Sequence, residues 1–191
     1  MGIELKKVGY NNIYGVDGSE QMLAIADSKA VYKWTWKVLV GVDQLPLGAV
    51  YRDDLKGSGF DAVFCSACLI KGHLPNSCFE EMLKTLRPGG YMIFSIRDIY
   101  LSNETDNGMN FVGKLAELEE QGVMIHIETK HFTKYEGLQF GSGYMEEGAN
   151  VKIYQKPPEP ETAAAAEEEV KQEEPEAAAA TEGGQAAEEA K

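Results

Sequence analysis

The stretch NNIYGVDGSEQMLAIA, residues 11–26, predicts a short strand that runs directly into a helix. Residues 13–16 are strand-like, and the turn Asp17–Ser19 ends in a serine that can cap a helix. The apolar residues that follow at helical spacing are Met22, Leu23, Ile25 and Ala26. In nucleotide-binding α/β domains, an acid at the end of the second strand holds the ribose hydroxyls. Asp17 is therefore a candidate ligand-binding residue.

The rest of the chain continues this alternation of strands and helices. The predicted strands are Trp36–Val42, Phe60–Leu69, Tyr91–Ile96, Met124–Tyr135 and Asn150–Lys156. Phe60–Leu69 is a near-continuous apolar run, typical of a central parallel strand covered on both faces. The alternation favours an α/β fold with a mostly parallel sheet. Because no helix separates the last two strands, they are predicted to form an antiparallel hairpin at one sheet edge.

Two further helices are predicted from the spacing of their apolar residues. The first covers residues 77–86, with Ser77 or Asn76 as its N-cap, and ends at the sequence RPGG. The second runs from about Met109 to Gln121 and ends before Gly122. The residues predicted to face the core are Phe79, Met82, Leu83 and Leu86 in the first helix, and Phe111, Leu115 and Leu118 in the second.

Charge divides the 191 residues into two parts. Residues 157–191 contain eleven glutamates and two lysines, a net charge of −9, so residues 1–156 carry only −4 of the total of −13. The acidic part has almost no apolar side chain larger than alanine and is predicted to be a disordered tail. Residues 1–156 are long enough for one domain with a proper core.

Composition also excludes several classes of function. A mildly acidic domain gives no support for binding a nucleic-acid backbone. No run of 18 apolar residues is present, and the first ten residues lack the apolar core of a signal peptide, so no membrane association is expected. Three cysteines without a secretory signal are expected to be reduced thiols, which predicts a cytoplasmic or nuclear protein.

Three segments together resemble a known family: YGVDGSEQMLAIA, FDAVFCSACLI and FEEMLKTLRPGGYMIFSIRD. They resemble the class I S-adenosylmethionine-dependent methyltransferases, and most of all the methyltransferase-like proteins of the Williams–Beuren region type. The resemblance covers roughly Gly9 to Lys156. It implies a Rossmann-like fold with a terminal antiparallel hairpin, S-adenosyl-L-methionine as the cofactor, and transfer of a methyl group to an acceptor, small molecule or protein, that the sequence does not identify.

The resemblance also implies a cofactor site at the carboxyl ends of the predicted strands. Its members would be Asp17, Ser19, Met22, Asp43, Ser66 and Ala67. Asp17 would accept hydrogen bonds from both ribose hydroxyls. Met22 would pack either on the adenine ring or in the core, and Asp43 would accept from the adenine amino group. Ser66 and Ala67 would offer backbone contacts.

Two residues are candidates for binding the substrate. His73 lies in the loop after Phe60–Leu69, and ligands of such sheets bind beyond the carboxyl ends of the strands. It could act as a general base, contact the substrate, or be a loop histidine without chemistry. Arg97 ends the next strand and could meet a substrate carboxylate or pair with Asp98.

The chain departs from the family pattern at its start. The glycine-rich loop that holds the methionine part of the cofactor should precede Asp17, yet no G-x-G occurs in residues 1–16. Residues 1–10 match only the end of the helix that follows this loop. The first strand of the fold is therefore expected to be missing from this chain, and a longer form, an oligomer or a partner chain is expected to complete the sheet. Three readings stay open: an incomplete version of an active enzyme, a non-catalytic binding module, or an unrecognised cofactor site.

A rival pattern lies in the segment CSACLIKGHLPNSC. Cys65, Cys68, His73 and Cys78 have the C-x2-C-x4-H-x4-C spacing of a zinc knuckle, a structural zinc site that binds single-stranded nucleic acid. The apolar run around the first two cysteines explains them equally well as small buried hydrophobic residues. Basic and aromatic neighbours, which a knuckle uses to hold nucleic acid, are scarce here. No bound metal is therefore expected.

Overall fold

The computed structural model describes residues 1–43, 59–102, 104–136 and 146–159. The strands are β1 (Tyr14–Asp17), β2 (Trp34–Lys37), β3 (Phe60–Cys65), β4 (Leu86–Arg97), β5 (Ile125–Glu136) and β6 (Glu146–Gln155). The helices are α1 (Gly2–Lys7), α2 (Glu20–Ser28), α3 (Cys78–Thr85) and α4 (Phe111–Glu120), with a 3-10 turn at Asp98–Tyr100. None of the described helices has the length and apolar character needed to cross a membrane. The predicted disordered tail lies outside the described residues, apart from its first three.

The strands form two separate sheets. β1 and β2 pair in parallel, with Tyr14 opposite Trp34 and Asp17 opposite Lys37. The larger sheet has the order β3-β4-β6-β5, in which β3 and β4 are parallel and β6 runs antiparallel to both of its neighbours. The predicted terminal hairpin is therefore confirmed: β5 and β6 pair with each other, and β5 is an edge strand.

The prediction that Phe60–Leu69 is a central strand covered on both faces was wrong. Strand β3 ends at Cys65 and is the edge of the four-stranded sheet, and Phe64 is 38% exposed. The strand stops because Ala67 adopts a left-handed conformation, with φ of 60°. On the open side, the ring of Phe60 contacts that of Tyr14 in β1 at a centroid distance of 5.4 Å. No strand ladder joins β1 to β3 in the part of the chain that the structure describes.

The predicted strand Trp36–Val42 also has different bounds. β2 ends at Lys37, and Leu39–Asp43 forms a turn in which the amides of Val42 and Asp43 donate to the Leu39 carbonyl. Contact with α3 explains the turn. A side chain at Gly41, where φ is +85°, would lie 2.7 Å from the Cys78 backbone nitrogen. The glycine therefore lets this segment lie directly on the start of α3.

The main core lies between β4 and the helices α3 and α4. Phe79 contacts Phe94 at a centroid distance of 5.3 Å and Phe111 at 6.0 Å, and all three are fully buried. The helix faces predicted from apolar spacing are confirmed, except at Leu86. The buried residues of those faces are Phe79, Met82, Leu83, Phe111, Leu115 and Leu118. Leu86 is also buried, but the helix ends at Thr85 and Leu86 begins β4.

Ser77 is the N-cap residue of α3, one of the two candidates predicted, but its side chain makes no capping hydrogen bond. Its hydroxyl donates to the Gly41 carbonyl at 2.7 Å instead, and the Asn76 amide donates to the Met109 carbonyl at 3.1 Å. Both polar side chains therefore hold neighbouring segments against the helix, a use that local sequence does not reveal.

The N-terminal elements bury far less than the main core. Among residues 1–37 only Gly2 and Ile13 are buried, and α2 has no buried residue. Half-exposed apolar side chains on this part of the molecule include Met22, Ile25 and Trp34. Because burial of apolar surface is the main stabilising contribution to folding, the two sheets are expected to differ in local stability.

Amide hydrogen exchange of the full chain should show this difference. Backbone amides of β1 and β2 should exchange about 10 to 100 times faster than those of residues 92–96 in β4, because opening the smaller sheet exposes little core. Exchange followed by mass spectrometry of peptides from both sheets measures this within one sample. Equal protection of the two sheets would contradict the expectation.

Candidate active site

The carboxyl end of β1 presents a fixed carboxylate. Asp17 ends the strand, and its Oδ1 accepts a hydrogen bond from the Ser19 amide at 2.8 Å. Ser19 caps α2 as predicted, since its hydroxyl accepts from the Met22 amide at 3.3 Å. The other Asp17 oxygen, Oδ2, accepts no hydrogen bond from the described residues. The turn thus orients the carboxylate and leaves one oxygen for a donor outside the chain.

Met22 lies close in sequence to this carboxylate, one turn into α2. Its side chain is 52% exposed and takes no part in the buried core. Of the two roles considered for this residue, packing in the core is therefore ruled out. A flexible, half-exposed thioether is well suited to cover an apolar ring.

Asp43 lies farther from its strand than predicted, six residues beyond the end of β2. Its Oδ2 accepts from the Leu39 amide at 3.0 Å and so closes the turn that lies on α3. This hydrogen bond gives Asp43 a structural role. Its predicted contact with an adenine amino group stays a prediction.

The turn after β3 lies beside the end of β4. Ser66 and Ala67 are exposed, and the Ala67 amide donates to the Ser95 hydroxyl at 2.9 Å. The left-handed conformation of Ala67 and this hydrogen bond together fix the backbone of the turn. Ser95 was not predicted as part of the site, because its strand position suggested only structure.

The pKa values of the three cysteine thiols are shifted by their surroundings. The pKa of Cys68 is lowered to about 7, chiefly because the Cys65 thiol donates a hydrogen bond to it, while burial and the negative charge of Asp17 act in the opposite direction. The pKa of Cys65 is correspondingly raised by that hydrogen bond and by burial. Burial raises the pKa of Cys78 to about 12. The influence of Asp17 on Cys68 indicates that the carboxyl ends of β1 and β3 face the same region.

The zinc-knuckle pattern does not gather into a metal centre. Cys65, Cys68, His73 and Cys78 all lie in described segments, yet no group of three or more ligand-type residues is arranged there to hold an ion. The three cysteines are free thiols. Cys65 and Cys78 are buried in the core, in agreement with the reading of the cysteines as small hydrophobic residues.

A shallow pocket joins the turn after β3 to the end of β4. Its lining residues are Ala67, Leu69, Ile70, Ser95, Ile96, Arg97 and Ala149. The pocket brings together two predicted site residues, Ala67 and Arg97. His73 is exposed in the following turn, where its amide donates to the Ile70 carbonyl, and it is not one of the lining residues.

Sequence reasoning missed a polar cluster at the carboxyl end of β4. The Asp98 carboxylate contacts His131 of β5 and Asn150 of β6. Asp98 was considered only as a partner for Arg97. The other two residues lie far away in sequence and meet it only through the register of β5 and β6, which no local pattern encodes.

Alkylation of the cysteines should follow their pKa values. The thiolate is the reactive form and appears as pH rises through the pKa. Cys68 should therefore react with iodoacetamide with a midpoint near pH 7, while Cys78, with its pKa near 12 and no exposure, should stay unmodified up to pH 9. Site-resolved mass spectrometry measures this, with Cys68→Ser as the control. Reaction of Cys78 at the rate of Cys68 would contradict the assignment.

Comparison with known proteins agrees with this arrangement. A family model described as "Methyltransferase domain" matches residues 3–94, and one described as "Putative S-adenosyl-L-methionine-dependent methyltransferase" matches residues 49–185. Among curated proteins, "Probable methyltransferase PMT25" of Arabidopsis thaliana is 35% identical over 54 residues, which are 28% of this chain and 7% of that protein. The chain thus corresponds to only a small part of that relative.

Solved structures share the fold. N-methyltransferase NodS from Bradyrhizobium japonicum WM9 has a TM-score of 0.51 at 13% identity, covering 76% of this chain and 74% of its own, and is also known in complex with S-adenosyl-L-homocysteine. The [4+2]-cyclase SpnF has a TM-score of 0.57 at 14% identity, covering 82% and 70%. Since the S-adenosyl-L-methionine-dependent model spans most of its length, the chain belongs to that methyltransferase family, with a Rossmann-like class I fold.

Proposed function

We propose that this chain binds S-adenosyl-L-methionine where the carboxyl ends of β1 and β3 meet, and that it transfers the methyl group to an acceptor held at the pocket beside Arg97. The observation that carries the proposal is the Asp17 carboxylate. One of its oxygens is fixed by the Ser19 amide at 2.8 Å, and the other accepts no hydrogen bond from the described residues. A ribose diol supplies the donors that such a carboxylate binds with charge-assisted hydrogen bonds.

The residues at this edge fit the adenosine half of the cofactor. Asp17 would hold the ribose, with Ser19 fixing its carboxylate, and the half-exposed Met22 would cover the adenine. The exposed backbone of Ser66 and Ala67, held by Ser95, would form the opposite wall. When bound, the cofactor supplies a methyl group already activated by its sulfonium charge.

The main contribution of the protein is then to hold the cofactor and the acceptor in the correct relative position. Aligning two reactants in one site removes much of the entropic barrier between them. Leu69 and Ile70 give the pocket an apolar wall that limits access of water. Arg97 lines the same pocket with a permanent positive charge and is the residue best suited to bind an acidic group of the acceptor.

A binding module without catalysis is the second candidate. One observation favours it: within the described residues, no strand ladder joins β1 to β3. The solved cyclase of this fold illustrates that the fold alone does not determine that a methyl group is transferred.

Several further assignments stay proposals. They are the similarity to the Williams–Beuren type, the two roles of His73, and a partner strand or second copy that completes the sheet. A reducing cytoplasmic or nuclear location, which the three free thiols favour, is a proposal as well.

Calorimetric titration with S-adenosylhomocysteine separates the two candidates. The full chain should bind with micromolar affinity, and Asp17→Asn should weaken binding about 10- to 100-fold, because it replaces charge-assisted hydrogen bonds by neutral ones. Asp27→Asn is a matched control, because this carboxylate of α2 binds the Thr35 hydroxyl instead. Thermal melting should confirm that each variant folds.

Two results would count against the proposal. Unchanged affinity in Asp17→Asn would remove the proposed ribose contact. Absence of binding to the wild-type chain at millimolar cofactor would favour the binding module.

A further inference from the structure

Two cysteines flank the turn that follows β3. Cys65 is the last residue of the strand and is buried in the core, and Cys68, three residues later, is half-buried. The Cys65 thiol donates a hydrogen bond to the Cys68 sulfur, and the Cys68 thiol donates in turn to the Ser66 carbonyl at 3.2 Å. The two sulfur atoms are therefore neighbours in the folded chain, and one of them is accessible from solvent.

The spacing of this pair is that of a redox-active dithiol. In a C-x-x-C segment the two thiols can form a disulfide within one turn of the chain, and one thiol stabilises the thiolate of the other. The pKa of Cys68 follows this rule, since the hydrogen bond from Cys65 lowers it to about 7. Near neutral pH, about half of the Cys68 side chains are therefore thiolates, the form that attacks oxidants.

Packing explains Cys78 but not Cys68. Cys78 is fully buried at the start of α3, as expected for a cysteine that serves as a small apolar side chain. Cys65 also packs in the core, but its thiol is directed at a second sulfur. Cys68 is half-buried in a turn, and its sulfur contacts both the Cys65 thiol and the Ser66 carbonyl. A side chain that only fills space needs neither partner.

The backbone between the two cysteines is held in an unusual conformation. Ala67 has φ of 60°, in the left-handed region that residues other than glycine seldom adopt. Its amide donates to the Ser95 hydroxyl at 2.9 Å, which holds the turn against β4. Such a conformation persists only where the surrounding contacts determine it, so a change in those contacts shifts the turn.

A disulfide between the two cysteines would be such a change. The covalent bond is shorter than the hydrogen bond between the thiols, so its formation draws the two ends of the turn together. It also removes the hydrogen that Cys68 donates to the Ser66 carbonyl. Ser66 and Ala67 lie between the two cysteines, and their backbone is the wall assigned to the cofactor. The oxidation state of the pair therefore acts directly on that wall.

We propose that Cys65 and Cys68 form an oxidation site for hydroperoxides, at which a reversible disulfide forms and weakens cofactor binding at the turn between them. The effect on the cofactor rests on the proposed function, whereas formation of the disulfide does not. Both thiols are free in the structure, which therefore represents the reduced form of the site.

The two cysteines take different parts because their surroundings differ. Cys68 is partly exposed, so the hydroperoxide reaches it directly. Cys65 is buried, and both this burial and its hydrogen bond to Cys68 raise the pKa of its thiol. Cys65 thus stays protonated and shielded until an oxidised sulfur forms beside it.

The oxidation has two steps. The Cys68 thiolate attacks one oxygen of the hydroperoxide, so a sulfur–oxygen bond forms as the oxygen–oxygen bond breaks. The other oxygen leaves with the electron pair of that bond, takes up a proton and becomes an alcohol, or water when the oxidant is hydrogen peroxide. The Cys65 sulfur then attacks the sulfur of the Cys68 sulfenic acid, and hydroxide leaves with the Cys65 proton as water. Two thiols are thereby oxidised to one disulfide, and one hydroperoxide is reduced.

Mass spectrometry of the full chain tests whether the disulfide forms. Trypsin leaves Cys65 and Cys68 together in the peptide 57–71 and Cys78 in the peptide 72–84. After treatment with hydrogen peroxide, the remaining thiols are alkylated in denaturant. The peptide 57–71 should then carry no alkyl group and be lighter than its dithiol form by two hydrogen atoms, whereas Cys78 should be alkylated. Dithiothreitol should restore both thiols by exchange.

Alanine variants of the two buried cysteines are matched controls. Cys78→Ala should form the same disulfide, whereas Cys65→Ala should leave Cys68 as a sulfenic acid that dimedone traps. A disulfide that joins the peptides 57–71 and 72–84 would overturn the proposal. So would peroxide treatment that leaves Cys65 and Cys68 as thiols. The masses of the wild-type peptides decide this even where a variant fails to fold.

Calorimetric titration with S-adenosylhomocysteine tests the effect on the cofactor wall. Oxidation of the full chain should weaken binding about 5- to 150-fold, the usual range for coupled sites, and dithiothreitol should restore it. Cys68→Ser should show no change that dithiothreitol reverses. This reversal also distinguishes the disulfide from oxidation of the exposed Met22, because dithiothreitol does not reduce a methionine sulfoxide.

The outcomes separate this proposal from the proposed function. Equal affinity of the reduced and the oxidised chain would overturn the proposed effect of the disulfide on the cofactor wall. Absence of binding to the reduced chain would instead contradict the proposed function, while the peptide masses would still decide whether Cys65 and Cys68 form an oxidation site.

Discussion

The burial of one face of β4 is the constraint on which the rest of the structure depends. Along this strand Met92, Phe94 and Ile96 are fully buried against α3 and α4. Fully burying side chains of this size stabilises the fold by roughly 1.5–3 kcal/mol each. Because side chains alternate along a strand, this burial forces Ser95 and Arg97 to the other face, where they line the pocket. The same strand therefore anchors the core and presents the residues of the candidate site.

A second constraint is the division between the two sheets. The ring of Tyr14 in β1 contacts that of Phe60 in β3, yet no ladder joins the two strands within the described residues. Side chains, rather than backbone pairing, thus connect them within the described segments.

Sequence reasoning succeeded where structure is set locally. The cap at Ser19 and the buried faces of α3 and α4 follow from spacing and side-chain chemistry within a few residues. It failed where distant segments meet. β2 ends early because Gly41 lies on the start of α3, and the Ser77 hydroxyl donates to the Gly41 carbonyl instead of making a capping hydrogen bond in its own helix. The Asp98–His131 pair depends on the register of β5 and β6, which local sequence does not determine.

The two parts of the candidate site therefore belong to elements that differ in how deeply they are buried. Asp17 belongs to β1, in the least buried part of the described chain, whereas Arg97 and Asp98 extend from the well-packed strand β4. A ligand that binds only the folded state stabilises it, by about 2.7 kcal/mol at 100 times its Kd. A cofactor in contact with Asp17 and with the turn at Ala67 would link the two sheets by contacts that the backbone does not supply. With the cofactor bound as proposed, its binding and the order of the β1–α2 region would be thermodynamically coupled, whereas Arg97 is already held by a strand that the core packs.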